Sequence, residues 1–260
     1  MTKPGKLNRS LTTKKNAAPS QRPAMRVIHL DLTMTQSEDA RAKHKMRAAF
    51  EDLRGKTAFN DWELSCILLI YYKMTQGAPI ARPEFRNFIH NVFGISRQDI
   101  VERIFSALDE PNSPGLEPQA FVILLSIFTR GSLDDKIDFV FQVYDSMCLG
   151  YIGREAMTKL LVPTLLTRRQ EHEAVENAID MVDLLMRKID KDRDGRIAYS
   201  EFIEQMKQNE KLLEVFSQVI PDRMDKYAFM ATFTPRVATT QSKYMMKNTE
   251  IPALHNISLF

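Results

Sequence analysis

A chain of 260 residues with 44% hydrophobic content has enough material for one large domain or two small lobes around a sizeable core. No apolar run approaches the roughly 18 residues a membrane helix needs, and two cysteines, Cys66 and Cys148, argue against a disulfide framework and fit a reducing compartment. The net charge of +3 conceals basic ends on an acidic body: residues 1–30 and 236–260 sum to +9, leaving −6 for residues 31–235. Such ends favour an anionic partner, whether nucleic acid, an acidic protein surface or a membrane face.

Residues 1–34 combine Pro4, Gly5, Pro19 and Pro23 with polar and basic residues, the composition of a disordered basic arm. Their first 24 residues lack the apolar core of a secretory signal, and Met1-Thr2 lacks the glycine of an N-myristoylation signal. The prolines also oppose the long amphipathic helix of a mitochondrial transit peptide. Thr35 and Glu38 form a capping box for an accessory helix over 35–56 that Gly55 ends. Its apolar stripe of Met46, Ala49, Phe50 and Leu53 is narrow, so the helix should lie on the surface of the body.

One stretch, Asp190 to Glu201, has carboxylates at loop positions 1, 3 and 5, glycine at 6 and glutamate at 12. That is the spacing of a calcium loop. Asp190, Asp192 and Asp194 offer hard oxygens, Arg196 a backbone carbonyl, and Glu201 two oxygens to close the cage. Gly195 takes the sharp turn, Ile197 supplies the aliphatic position 8, and Ala198 leaves one vertex to water. An acidic surface turn is the bland alternative, but Met186 and Ile189 before the loop and Phe202 and Met206 after it sit at helical spacing.

Used as a ruler, this loop reveals three further frames, starting at Lys73, Asp109 and Asp145. Position 8 is then Ile80, Leu116 and Ile152; position 13 is Phe85, Phe121 and Met157. Loop starts fall 36, 36 and 45 residues apart, the mark of an internal repeat of helix–loop–helix units. Ser96 with Asp99 and Ser132 with Asp135 read as caps, and Pro118 suits a first helical turn. The nine extra residues before the fourth unit lie around Pro163 to His172, as a longer helix or loop. Paired loops should meet through a short antiparallel bridge, Ile152 facing Ile197.

The three upstream loops have lost their ligands. Met147, Leu149 and Ala156 stand where the third needs oxygens; Pro111, Ser113, Pro114 and Ala120 spoil the second; the first keeps Glu84 and little else. One calcium site is therefore expected, in the roughly 10⁻⁷–10⁻⁵ M range of regulatory loops. Magnesium is able to occupy it at rest, and Lys191, Arg193 and Arg196 push it toward the weak end. Enzyme motifs are missing: the histidines (His29, His44, His90, His172, His255) are scattered, and no phosphate-cradling or nucleophile-elbow pattern occurs. Met157, Met181, Met186 and Met206 either fill the core or line grooves for a partner helix. Phe59, Trp62 and Leu64 are candidates to line such a groove in the first lobe.

The sequence resembles the calaxin-like EF-hand proteins, relatives of the neuronal calcium sensors, over residues 59–230. Phe59-Asn60 running into Glu63-Leu64, Phe85-Arg86-Asn87 before Val92-Phe93-Gly94, and Arg103 with Phe105 carry the likeness. Most specific is Arg130-Gly131-Ser132-Leu133-Asp134-Asp135-Lys136 leading to Phe141-Gln142-Val143-Tyr144-Asp145; Leu212-Leu213-Glu214, Phe216, Pro221 and Asp222 extend it. The resemblance implies an all-α fold of four EF-hand units in two lobes, with short β-bridges between paired loops. The corresponding divisions are a basic arm (1–34), an accessory helix (35–56), an N-terminal lobe (57–130) with degenerate loops 73–84 and 109–120, a C-terminal lobe (131–220) with degenerate loop 145–156 and active loop 190–201, and a C-terminal extension and tail (221–260).

It further implies a non-enzymatic, calcium-binding regulatory or structural subunit of the outer dynein arm docking apparatus in the axoneme of cilia or sperm flagella, modulating dynein-driven motility. Its partners would be docking-complex chains and dynein, with tubulin for the basic arm, and neither nucleic acid nor a membrane anchor. The chain departs from the family at the second and third loops, which relatives typically keep functional. The alternative is a soluble sensor outside cilia that binds a partner helix of a phosphatase, kinase or channel.

Overall fold

The computed structural model describes residues 34–109, 113–145, 147–166, 172–216 and 218–232. The arm with its tubulin contact, the tail beyond Thr232, Pro111, and residues 167–171 of the insertion lie outside them. Within the described residues the helices and strands follow the repeat in order. Helix α1 (Gln36–Leu53) precedes four helical hairpins: α2 (Asp61–Thr75) with α3 (Arg82–Phe93), α4 (Gln98–Leu108) with α5 (Pro118–Arg130), α6 (Leu133–Tyr144) with α7 (Arg154–Leu165), and α8 (His172–Ile189) with α9 (Tyr199–Gln208). Strands β1 (Tyr151–Gly153) and β2 (Arg196–Ala198) lie in the last two loops. A 3₁₀ helix (Glu210–Phe216) and α10 (Arg223–Ala231) follow.

Capping fixes where the helices begin. Thr35, Asn60 and Ser132 each accept from the N–H three residues on, and Glu38, Glu63 and Asp135 reach back to the cap N–H. Pro118 occupies the first turn of α5 as expected. Ser96 does not cap α4. The N-cap is Arg97, which makes no side-chain cap bond, and its guanidinium pairs with Asp99. Most of the insertion lengthens the fourth unit's entering helix: α8 has 18 residues where α6 has 12.

Position 8 joins the hairpins in pairs. Ile80 and Leu116 exchange two backbone hydrogen bonds of 2.9 Å, an isolated antiparallel bridge. Gly115 is required there, because a Cβ would sit 2.4 Å from the Ile80 carbonyl oxygen. Tyr71, fully buried, donates its hydroxyl to the Ala78 and Leu116 carbonyls beneath the bridge, and burial lifts that hydroxyl above the ordinary tyrosine range. In the second pair β1 and β2 run antiparallel, with Ile152 opposite Ile197 as expected.

The pairs share a continuous core. Phe93 meets Phe128 at 5.4 Å between ring centroids, and Phe128 meets Phe139 of α6 at 5.9 Å. Arg97 adds a polar tie, donating to the Leu160 carbonyl, Thr164 Oγ1 and Gln218 Oε1 at 2.7, 2.7 and 2.9 Å. Helix α1 lies on α2 and α5 with Ala42, Met46, Ala49 and Leu53 buried, and Lys45 caps the far end of α2 through the Gln76 carbonyl.

The apolar faces of both pairs are covered by the chain itself. Phe216 of the 3₁₀ helix packs edge-to-face with Tyr144 and Phe202, ring centroids 5.1 and 5.4 Å apart. Phe229 of α10 packs against Phe93 at 5.4 Å and Phe88 at 6.4 Å. Phe59 and Leu64 are core residues rather than groove lining, Trp62 is half-buried, and Met157, Met186 and Met206 fill the core while Met181 is exposed.

The Arg130 guanidinium grips Glu63, which is 1% exposed, through bonds of 2.7 and 2.5 Å, and also reaches the Ala58 carbonyl at 2.8 Å. Removing one partner strands the other's charge in the interior. Arg130→Ala should lower stability by about 3 kcal/mol in urea unfolding. Arg54→Ala, whose bridge to Asp61 is exposed at both ends, should change it by under about 1 kcal/mol.

Candidate metal centre

Helix α8 delivers Asp190 to the loop, and β2 with α9 closes it. Arg154 pins α8 to the start of α7 through a bidentate bridge to Asp183 at 2.6 and 2.8 Å. Asp190 is buried, and its two carboxylate oxygens accept from the Arg193 N–H at 2.7 Å and the Gly195 N–H at 3.0 Å. These bonds bend the loop through left-handed backbone at Arg193 (φ +61°) and Gly195 (φ +82°). Asp192 and Asp194, both exposed, accept in turn from the Asp194 and Arg196 amides.

One carboxylate oxygen from each of Asp190, Asp192 and Asp194 lies within 4.8 Å of the others. Three like charges so close repel one another in the absence of a cation, and oxygen-only donors suit a hard divalent ion. The residues present therefore fit calcium. Glu201 stands across the loop rather than in that trio: its Oε1 accepts from the Lys191 N–H at 2.8 Å and its Oε2 from the Ala198 N–H at 2.9 Å. Arg196 sits in β2 opposite Gly153, its guanidinium 4.5 Å above the Tyr151 ring. Lys191 pairs with Glu204 at 2.5 Å. Two of the three cations expected to weaken the site are thus held by other partners.

The other loops close by different means. In the first frame, α2 continues through Thr75 and ends at left-handed Gln76, and Glu84 is exposed on α3. In the second, Arg82 reaches Asp109 at 3.4 Å and Glu102 at 3.0 Å, so a guanidinium faces the retained carboxylate. In the third, Asp145 accepts from the Leu149 and Gly150 amides at 2.9 and 2.7 Å, leaving Met147 and Leu149 exposed. In the third loop Asp145 and Gly150 are kept although Met147, Leu149 and Ala156 are not ligands. The signal for their role was there, since their five-residue spacing repeats that of Asp190 and Gly195.

A carboxylate trio on a paired helix–loop–helix unit defines an EF-hand protein. The family model for an EF-hand domain pair matches residues 134–207. The chain is 33% identical to calaxin of Danio rerio over 180 residues, 66% of this chain and 85% of that protein. It is 29% identical to calaxin of Homo sapiens over the same shares, and 30% identical to a calcineurin subunit of Schizosaccharomyces pombe over 59% of this chain and 85% of the relative. The chain belongs to the calaxin family and is a calcium-binding EF-hand regulator. Among the described residues no helix is long and apolar enough to cross a membrane.

The two cysteines differ sharply. Burial pushes the Cys66 thiol up to about 12, and the Glu63 carboxylate adds to the shift. Cys148 is exposed in the third loop. At pH 8, where a thiol held near 12 stays protonated, alkylation should consume one fast equivalent mapping to Cys148. Cys66 should react only on unfolding; peptide mapping of the labelled native protein checks this.

Proposed function

We propose that this chain is a calcium-responsive subunit of the outer dynein arm docking apparatus in cilia or sperm flagella, where it modulates dynein-driven motility. The likeness to Danio rerio calaxin over 85% of that protein carries the reading, together with the intact loop from Asp190 to Glu201. In this reading residues 57–130 and 131–220 act as two lobes, and docking-complex chains and dynein are the partners. Tubulin is the proposed partner of the basic arm.

One calcium ion is held by Asp190, Asp192, Asp194, the Arg196 carbonyl and Glu201, and magnesium occupies the site at rest. A bound ion would supply the positive charge that offsets these carboxylates. The protein's own groups do the rest. The Arg193 and Gly195 amides orient Asp190, β2 fixes Arg196 against β1, and α9 carries Glu201. The other three loops lack the donors for a second ion, so titration should be hyperbolic.

Calorimetric titration should give one ion per chain with a dissociation constant of about 10⁻⁷–10⁻⁵ M, and Asp190→Ala with Glu201→Ala should abolish it. Capture from demembranated axonemes, with calcium and with a chelator, tests the partners. Recovery of docking-complex or dynein chains supports the proposal, and their absence under both conditions defeats it. The relation to the calcineurin subunit favours a second reading, a sensor outside cilia that binds a partner helix. Capture of a phosphatase, kinase or channel chain in place of axonemal chains would decide for it.

A further inference from the structure

We propose that Asp145 is a positioning residue for the calcium loop: it holds the third loop in an ion-loop shape by hydrogen bonds alone, and through Gly150 and β1 it sets the calcium affinity of Asp190–Glu201. This rests on the calcium reading above and deepens it.

Asp145 and Asp190 occupy the same position in their loops and are similarly placed, sharing the amide at position 6 as a donor while the second donor is at position 5 for Asp145 and position 4 for Asp190. They are 8% and 7% exposed. Each accepts with both carboxylate oxygens from backbone amides: Asp145 from Leu149 and Gly150, Asp190 from Arg193 and Gly195. Left-handed backbone falls at matching places, Cys148 (φ +52°) with Arg193 (φ +61°) and Gly150 (φ +79°) with Gly195 (φ +82°). The donor sets then diverge. Positions 3, 5 and 12 of the third loop are Met147, Leu149 and Ala156, none of which offers a hard side-chain oxygen. Asp145 therefore orders the loop with the amides alone.

The ordered third loop is joined to the fourth along β1 and at the residue before it. The Gly150 carbonyl accepts from the Tyr199 N–H at 3.3 Å, just past β2. Ile152 pairs with Ile197 and Gly153 with Arg196, the residue whose carbonyl is assigned to calcium. Tyr199 also donates its hydroxyl to Asp138 at 2.7 Å and packs on Phe141 at 5.1 Å, both on the helix that ends at Asp145. A binding loop whose partner strand is already fixed has less to order when the ion arrives, and preorganisation of this kind appears as affinity. In a pair with two ions, each ion orders its own loop; here one side must be ordered without one.

The test is calcium titration of the full chain and its variants, with thermal unfolding alongside. Asp145→Ala should raise the dissociation constant roughly tenfold, equivalent to about 1.4 kcal/mol, with one ion per chain throughout. Asp145→Asn, which keeps one acceptor oxygen, should fall between. Ile89→Val, a fully buried change in α3, should lower stability and leave calcium affinity unmoved. That contrast separates positioning from general weakening of the fold. Wild-type affinity in folded Asp145→Ala overturns the proposal. So does a fall from two ions to one, which would make Asp145 a ligand. If Asp145→Ala does not fold, Asp145→Asn decides on the same criterion. Wild-type protein that takes up no calcium overturns the calcium reading and this proposal together, and is told apart from the other failures by the wild-type titration alone.

Discussion

Between Ile80 and Leu116, and again between Ile152 and Ile197, backbones far apart in sequence meet edge to edge inside helical hairpins. Helices of 10 to 18 residues are marginal alone in water, so the hairpins depend on their partners, and the bridges align each pair at its loops. The bridges set the distance and angle at which each pair packs, and the phenylalanines complete the core around them. Gly115 records how close the approach is at the first bridge. At the second, the approach sets Arg196, at the edge of the carboxylate loop, opposite Gly153.

Folding and ion chemistry use different positions of the same repeat. Positions 8 and 13 are apolar in every unit and face the core; positions 1, 3, 5 and 12 are those where a calcium loop needs its oxygens. Ligands can therefore lapse while the scaffold persists, provided each loop finds another way to satisfy its amides and charges. The described residues show three such ways: a helix extended to a lysine-capped end, an arginine set against the orphaned carboxylate, and a carboxylate turned onto backbone amides. Among those residues, only the fourth frame gathers several carboxylates in one place.

Much of this was legible in the residues. The repeat of apolar positions pointed to the hairpins and to the register of Ile152 with Ile197, because burial demands a fixed spacing that ion binding does not. Thr35 and Ser132 announced their helices through short-range bonds. Ser96 misled, because Arg97 competes for Asp99 through a longer side chain that spacing rules do not weigh. The coverage of both apolar faces from within was also missed. Leu212, Phe216 and Phe229 look like any amphipathic segment, and only the path of the chain in space decides what they cover. Asp145 is a middle case: its spacing to Gly150 matches that of Asp190 to Gly195, while its bonds to the Leu149 and Gly150 amides become visible only in the fold.

The seat of Phe229 has a consequence for any helix seeking the face between α3 and α5. That face already holds a ligand tied to it covalently, and a tethered segment acts as though present at about millimolar concentration. An incoming helix is thus judged against an internal rival rather than against water, and its apparent affinity is discounted by the fraction of time the rival is away. Selectivity at this face is accordingly a contest between two helices, decided by how well each fills the space against Phe88 and Phe93.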